Sequence, residues 1–108
     1  MIIDRVEVRA VGPQVQKYTW SHDLPDQYMT NTIVRITTDD GAVGIGAVAN
    51  YTSYDYDRYT TETLRHMIPI LIGRDPLDRE GIRQALWPRV FPLVPGAIAA
   101  IDIALWDL

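Results

Sequence analysis

Residues 30–51 read TNTIVRITTDDGAVGIGAVANY. Between Asn31 and Thr38, Val34 and Ile36 fall on one side and Arg35 and Thr37 on the other, the period of two that a half-buried strand imposes. Asp39-Asp40-Gly41 follows, supplying residues that tolerate the positive φ of a tight hairpin. Beyond it Val43, Ile45 and Ala47 alternate with Gly44 and Gly46, so a second strand returns beside the first. Two glycines on one strand face leave that face bare for another backbone to approach closely.

The same alternation opens the chain: Val6, Val8 and Ala10 lie opposite Arg5, Glu7 and Arg9. Three strands in this order predict an antiparallel meander. The first two are separated by VGPQVQKYTWSHDLPDQYMT, residues 11–30, an irregular polar and aromatic connection. A link that long between neighbouring strands marks a functional or mobile loop, and it is the first place to look for function.

From Tyr56 the period changes. Thr60, Leu64, Met67, Ile68 and Leu71 share one helical face, opened by Asp55 or Asp57, with Pro69 loosening the last turn and Gly73 closing it. Asp75-Pro76-x-Asp78 then reads as an N-cap with Pro at the first helical position, starting a second helix to about Leu86 that buries Leu77, Ile82 and Leu86. Pro88 restricts Trp87 and ends it. After the connector PRVFPLVPG comes AIAAIDIALWDL, residues 97–108, helical and apolar on nearly every side. Strands followed by helices indicate an α+β fold: a three-stranded antiparallel meander with a small helical bundle.

That last helix sets a physical problem. A helix apolar all round must be covered all round. Asp107 places a negative charge at the negative end of the helix dipole. Asp102 shares the stripe of Ile98, Ile101 and Leu105, so it is expected to need a cation or several donors. The helix is expected to lie against a partner, or against a further part of a longer protein.

Composition narrows the function classes. With 108 residues, 47% hydrophobic and 22% charged, the chain is ordinary for one globular domain and not for a disordered one. Ten basic residues against 14 acidic ones leave no cationic stripe for nucleic acid or for an anionic membrane. Asp4, Arg5, Glu7 and Arg9 interrupt the start, so it is no secretory signal, and no run approaches the roughly 18 apolar residues of a membrane span. The absence of cysteine suits a cytoplasmic protein.

Candidate chemistry is sparse. Gly44-Ile45-Gly46-Ala47-Val48-Ala49 matches the dinucleotide fingerprint G-x-G-x-x-A, yet it sits inside a strand after a hairpin. There no helix N-terminus meets a pyrophosphate, and the match is read as chance. His22, Asp23 and Asp26 include metal-ligating types, but HDLPD equally suits turn and cap formation, and His22 could instead meet a substrate. Tyr51, Tyr54, Tyr56 and Tyr59 either pack on the sheet or line a pocket, phenols joining an apolar face to a hydrogen-bonding tip. No triad can be assembled without cysteine or a G-x-S-x-G elbow, and no catalytic residue or metal ligand is assigned in the segment.

Taken together, TNTIVRITTDDGAVGIGAVANY, PILIGRDPLDREGI and AIAAIDIALWDL resemble the N-terminal capping domain of the enolase superfamily, mandelate racemase/muconate lactonizing enzyme group. The resemblance covers essentially all 108 residues. It implies that residues 1–108 are a substrate-capping and specificity domain, and that a C-terminal (β/α)8 barrel is absent from this chain. In such enzymes the barrel supplies a Lys or His base and the carboxylates that hold Mg2+, which stabilises the enolate formed when a proton leaves the carbon next to a carboxylate. The parent is then expected to be a Mg2+-dependent lyase or isomerase, a dehydratase or racemase of a small carboxylate such as a sugar acid, and a homo-oligomer. No cofactor is expected in the segment itself.

The family's two substrate-covering loops match Lys17 to Met29 and Asn50 to Tyr56, so Trp20, His22, Tyr51 and Tyr54 are the expected substrate contacts. The resemblance also puts the apolar last helix at the entry to the barrel. A second reading needs no barrel: a self-contained α+β binding or dimerisation module that uses its apolar C-terminal helix.

Overall fold

The computed structural model describes the backbone of residues 1–11, 17–18, 27–28, 30–50, 54–89 and 96–108, and the side chains of 1–11, 31–49, 60–89 and 96–108. Strands β1 (Ile3–Val11), β4 (Thr30–Thr38) and β5 (Val43–Asn50) form one antiparallel sheet in the order β1-β4-β5, the expected meander. Two short strands, β2 (Lys17–Tyr18) and β3 (Gln27–Tyr28), pair with each other inside the long connection. That connection therefore has paired stems where the sequence suggested only irregular chain.

The hairpin forms where Asp39-Asp40-Gly41 places it, with Gly41 at φ +90°. Thr38 N–H donates to Ala42 O at 2.9 Å and Gly41 N–H to Thr38 O at 3.0 Å. The Ile2 and Asp39 segments also exchange bonds, Asp39 N–H to Ile2 O and Ile2 N–H to Asp39 Oδ1, each 2.9 Å. An irregularity between Ile3 and Arg5 lets Ile3 and Val6, three residues apart, both turn toward the core.

Helices α1 (Tyr54–Leu71), α2 (Arg79–Leu86) and α3 (Gly96–Asp107) cover one face of the sheet. Ile3, Val6, Val34 and Ile36 meet Leu64, Met67 and Leu71 of α1, Ile82 and Leu86 of α2, and Ile98, Ile101 and Leu105 of α3. Each large side chain so buried contributes roughly 1.5–3 kcal/mol. Gly73, at φ +85°, closes α1 and gives its N–H to Ile3 O at 2.8 Å, fastening the helix end to the start of β1.

Three local expectations are corrected. Helix α1 begins at Tyr54, so Asp55 and Asp57 lie within its first turn, not ahead of it. The cap of α2 is Asp78, which accepts from Gly81 N–H at 3.1 Å; Asp75 instead shapes the preceding turn, accepting from Leu77 N–H at 2.9 Å. Leu77 consequently sits in that turn, outside the helix, and is 63% exposed. Helix α2 ends at Leu86, and Trp87–Arg89 continues as one 3-10 turn.

The glycine strand behaves as its sequence suggests. A Cβ on Gly44 would lie 2.1 Å from Ala104 O, and one on Gly46 would lie 2.0 Å from Ala100 O. Helix α3 therefore lies backbone to backbone on β5, with Ala100 and Ala104 fully buried at the contact. These glycines serve helix packing, not nucleotide binding.

Candidate functional site

The register of the sheet gathers the two candidate loops. Val11, the last residue of β1, pairs with Asn31, and Thr30 pairs with Asn50, the last residue of β5. The connection 12–29 leaves β1 and enters β4 at this end, and the connection 51–53 leaves β5 at the same end and enters α1. Both are rooted on adjacent strands. The opposite end holds the 39–41 hairpin and the Gly73 turn.

Within the first connection Lys17 pairs with Tyr28 and Tyr18 with Gln27. Trp20 and His22 fall between these two short strands in the sequence. They and Tyr51 lie outside the described residues, as do Asp23 and Asp26. Tyr54 is placed by its backbone as the first residue of α1, its side chain being outside the described set. The four expected contacts thus belong to segments that start or finish at one end of the sheet.

Helix α1 is locked beneath this end. Thr32 Oγ1 and Thr61 Oγ1 lie 3.5 Å apart in a buried hydroxyl pair between β4 and α1. The first turn of α1, with the positive end of its dipole, is held at the loop-bearing end.

The second surface of interest is α3. Ala97, Ile98, Ala100, Ile101, Ala104 and Leu105 are buried by the chain's own sheet and helices. Ala99, Ile103 and Trp106 face outward, the last two 50% and 68% exposed. The helix is covered on one side only. Asp102 stands at the border, half-buried, with no described residue hydrogen-bonded to it. This corrects the expectation of a carboxylate locked in the core: the buried stripe passes through Ala100, Ile101, Ala104 and Leu105 and leaves Asp102 at its margin.

Sequence reading missed two contacts made by this helix. Arg79 stacks on Trp106, 3.7 Å from the ring centroid, and Asp107 accepts from Ile45 N–H at 2.8 Å. Both join residues far apart in the chain, so no local pattern announces them. The weaker stack of Arg83 on Trp87, 5.8 Å away, is an i,i+4 pair and was legible in principle.

Among the described residues no group of three His, Cys, Asp or Glu side chains could hold a metal ion. None of the described helices is long and apolar enough to cross a membrane. What these residues offer is a scaffold that presents two loops together, beside a half-covered apolar helix.

Known proteins share this arrangement. The family model described as mandelate racemase / muconate lactonizing enzyme, N-terminal domain, matches residues 7–108. The D-galactonate dehydratase family member RspA of Halomonas elongata is 43% identical over 81 residues, covering 69% of this chain and 19% of the relative. D-mannonate dehydratase of Rhizorhabdus wittichii shows the same identity and coverage. Among solved structures, a Pseudovibrio sp. chain assigned to the mandelate racemase/muconate lactonizing enzymes has a TM-score of 0.86 at 37% identity, over 97% of this chain and 28% of that one. A racemase from Streptomyces coelicolor A3(2) with bound magnesium gives 0.75 at 28% identity, over 99% of this chain and 31% of that one. The chain thus belongs to the mandelate racemase/muconate lactonizing enzyme family, as its N-terminal domain, and spans about a fifth of the length of these curated relatives.

Proposed function

We propose that this domain caps the active site of a Mg2+-dependent enzyme of the enolase superfamily and sets which carboxylate that site accepts. The observation that carries the reading is the rooting of residues 12–29 and 51–53 on adjacent strands at one end of the sheet. Two loops so rooted can close over one ligand together while the sheet and α1 stay fixed.

The reaction is proton abstraction next to the carboxylate, leading to dehydration of a sugar acid or to racemisation. Relatives that are dehydratases and a racemase solved with magnesium support this class. The base and the metal ligands are assigned to a C-terminal (β/α)8 barrel, a reading supported by relatives in which this domain is a fraction of a longer chain. Trp20 serves as lid and water excluder, and His22, Tyr51 and Tyr54 as hydrogen-bonding contacts to substrate. Ile103 and Trp106, the uncovered side of α3, are the surface on which the barrel sits. The whole enzyme is taken to be a cytoplasmic homo-oligomer.

The alternative of a self-contained module is not favoured, because relatives carry this domain as 19–31% of longer chains. The test is a kinetic panel of sugar acids with the complete enzyme, comparing Trp20→Ala and Tyr54→Phe with the unaltered protein. KM or substrate preference should shift. Unchanged constants across the panel would remove these residues from the site.

A further inference from the structure

Helix α3 carries two acids and no basic residue. Asp107 has an internal partner, the Ile45 N–H at 2.8 Å. Asp102 has no hydrogen bond or ion pair from any described residue. The described arginines on the elements packed against α3 are engaged elsewhere. Arg35 of β4 faces Glu7 at 3.9 Å, Arg65 of α1 meets Glu62 at 2.9 Å, Arg83 of α2 meets Glu80 at 3.1 Å, and Arg79 stacks on Trp106.

The position of Asp102 gives this a consequence. Ala99, Asp102, Ile103 and Trp106 stand at i, i+3, i+4 and i+7, one stripe along the side of α3 that the chain leaves uncovered. Asp102 forms its edge, half-buried between that stripe and the buried Ile98 and Leu105 one turn away on either side. The carboxylate keeps part of its hydration in the domain as it stands. Whatever covers Ile103 and Trp106 removes that hydration, and a dry carboxylate is too costly to leave without a cation or donors.

Family membership supplies the occupant. The matching family model is of an N-terminal domain and its match runs through α3, and solved relatives hold this domain as 28% and 31% of their chains. In such a chain the remainder follows the end of this helix, close to the stripe. Resting on the reading that the barrel sits on α3, we propose that the barrel of the complete enzyme places a Lys or Arg side chain against Asp102. Ile103 and Trp106 supply apolar burial, which is non-directional and tolerates sliding and rotation. The ion pair is met in one alignment only, so it fixes the pose in which the connections 12–29 and 51–53 face the active site.

Hydrogen exchange of the complete enzyme, read by mass spectrometry at residues 96–107, tests this. Asp102→Asn removes the charge at nearly constant size and leaves the opposing cation unpaired, so exchange in α3 should quicken about tenfold or more. A barrel segment containing a Lys or Arg should quicken with it. Asp102→Leu separates a cation from a purely apolar partner: exchange should quicken against the cation and slow against an apolar surface. Ile103→Ser in the same enzyme reports whether the barrel lies on α3 at all. Exchange raised by Ile103→Ser but not by Asp102→Asn, or slowed by Asp102→Leu, overturns the ion pair and leaves the barrel in place. No change in any of the three variants overturns the placement of the barrel and the ion pair with it. A quickened barrel segment without Lys or Arg also overturns the proposal. Should circular dichroism show Asp102→Leu unfolded, Asp102→Asn and Ile103→Ser decide between these outcomes.

Discussion

Ile45 gives its backbone N–H to the Asp107 carboxylate, Oδ2 lying 2.8 Å away across 62 positions of sequence. Strand β5 is an edge of the sheet, and an edge N–H is an open invitation to another strand. An acid at the end of α3 is unfavourable to the helix dipole, but here it supplies an acceptor that the edge lacks. Asp107→Ala should cost about 0.5–1.5 kcal/mol in chemical denaturation and speed hydrogen exchange at the Ile45 amide. Unaltered exchange at Ile45 would show that the bond contributes nothing in solution.

The contact of α3 with β5 makes a sharper prediction. Gly44→Ala and Gly46→Ala each push a methyl carbon to within 2.1 Å and 2.0 Å of a helix carbonyl oxygen, and backbone on both sides must move. Each should destabilise by about 3 kcal/mol or more, the upper end of overpacking. Gly41→Ala is the internal comparison, since its Cβ meets nothing within 4 Å and only the φ of +90° opposes it. That change should cost about 1 kcal/mol. Thermal melts in which Gly41→Ala proves the worst of the three would mean that the helix does not lie this close.

These two cases also show what the sequence could disclose. The bare glycine face was readable because it is a property of one strand, and the hairpin was readable because Asp39-Asp40-Gly41 is a local instruction. Period marks the three long strands and the face of α1, cap and breaker residues mark α2, and an unbroken apolar run marks α3. The sequence cannot place the cap of α2, because Asp75 and Asp78, three residues apart, are chemically equal candidates and only the fold decides which one faces Gly81 N–H. The same ambiguity puts Leu77 on the expected core face. For Asp102, spacing identifies a shared face but not where its margin falls. Trp20, His22, Tyr51 and Tyr54 came from family resemblance joined to aromatic composition; what the sheet adds is that their loops spring from one end.

The uncovered side of α3 separates stability from assembly. Ile103 and Trp106 are half or more exposed, and apart from the stack with Arg79 they add little to the domain's own core. Ile103→Ser should change the melting of the isolated domain, if it folds alone, by no more than about 0.5 kcal/mol. In a complete enzyme whose barrel covers this stripe, the same change should cost about 1 kcal/mol or more through lost apolar burial. Equal and small effects in both settings would place the barrel elsewhere.

Acid sensitivity should be felt at the hairpin. Asp40 accepts a hydrogen bond from the Thr38 hydroxyl, which holds its carboxyl below the ordinary value of 3.8, with the Ala42 backbone N–H assisting. A carboxylate with a lowered folded pKa contributes stability that is fully present above its unfolded pKa and is lost as pH falls through the folded one. The hairpin should therefore keep this contribution above about pH 4 and lose it in the more acidic range, a small loss because Asp40 is exposed. Thr38→Val removes the donor, so a carbon-detected NMR titration should then find Asp40 nearer 3.8. Thr38→Ser keeps the hydroxyl and should leave the lowered value in place. A titration curve for Asp40 that is the same in all three proteins would show that the hydroxyl is not the cause.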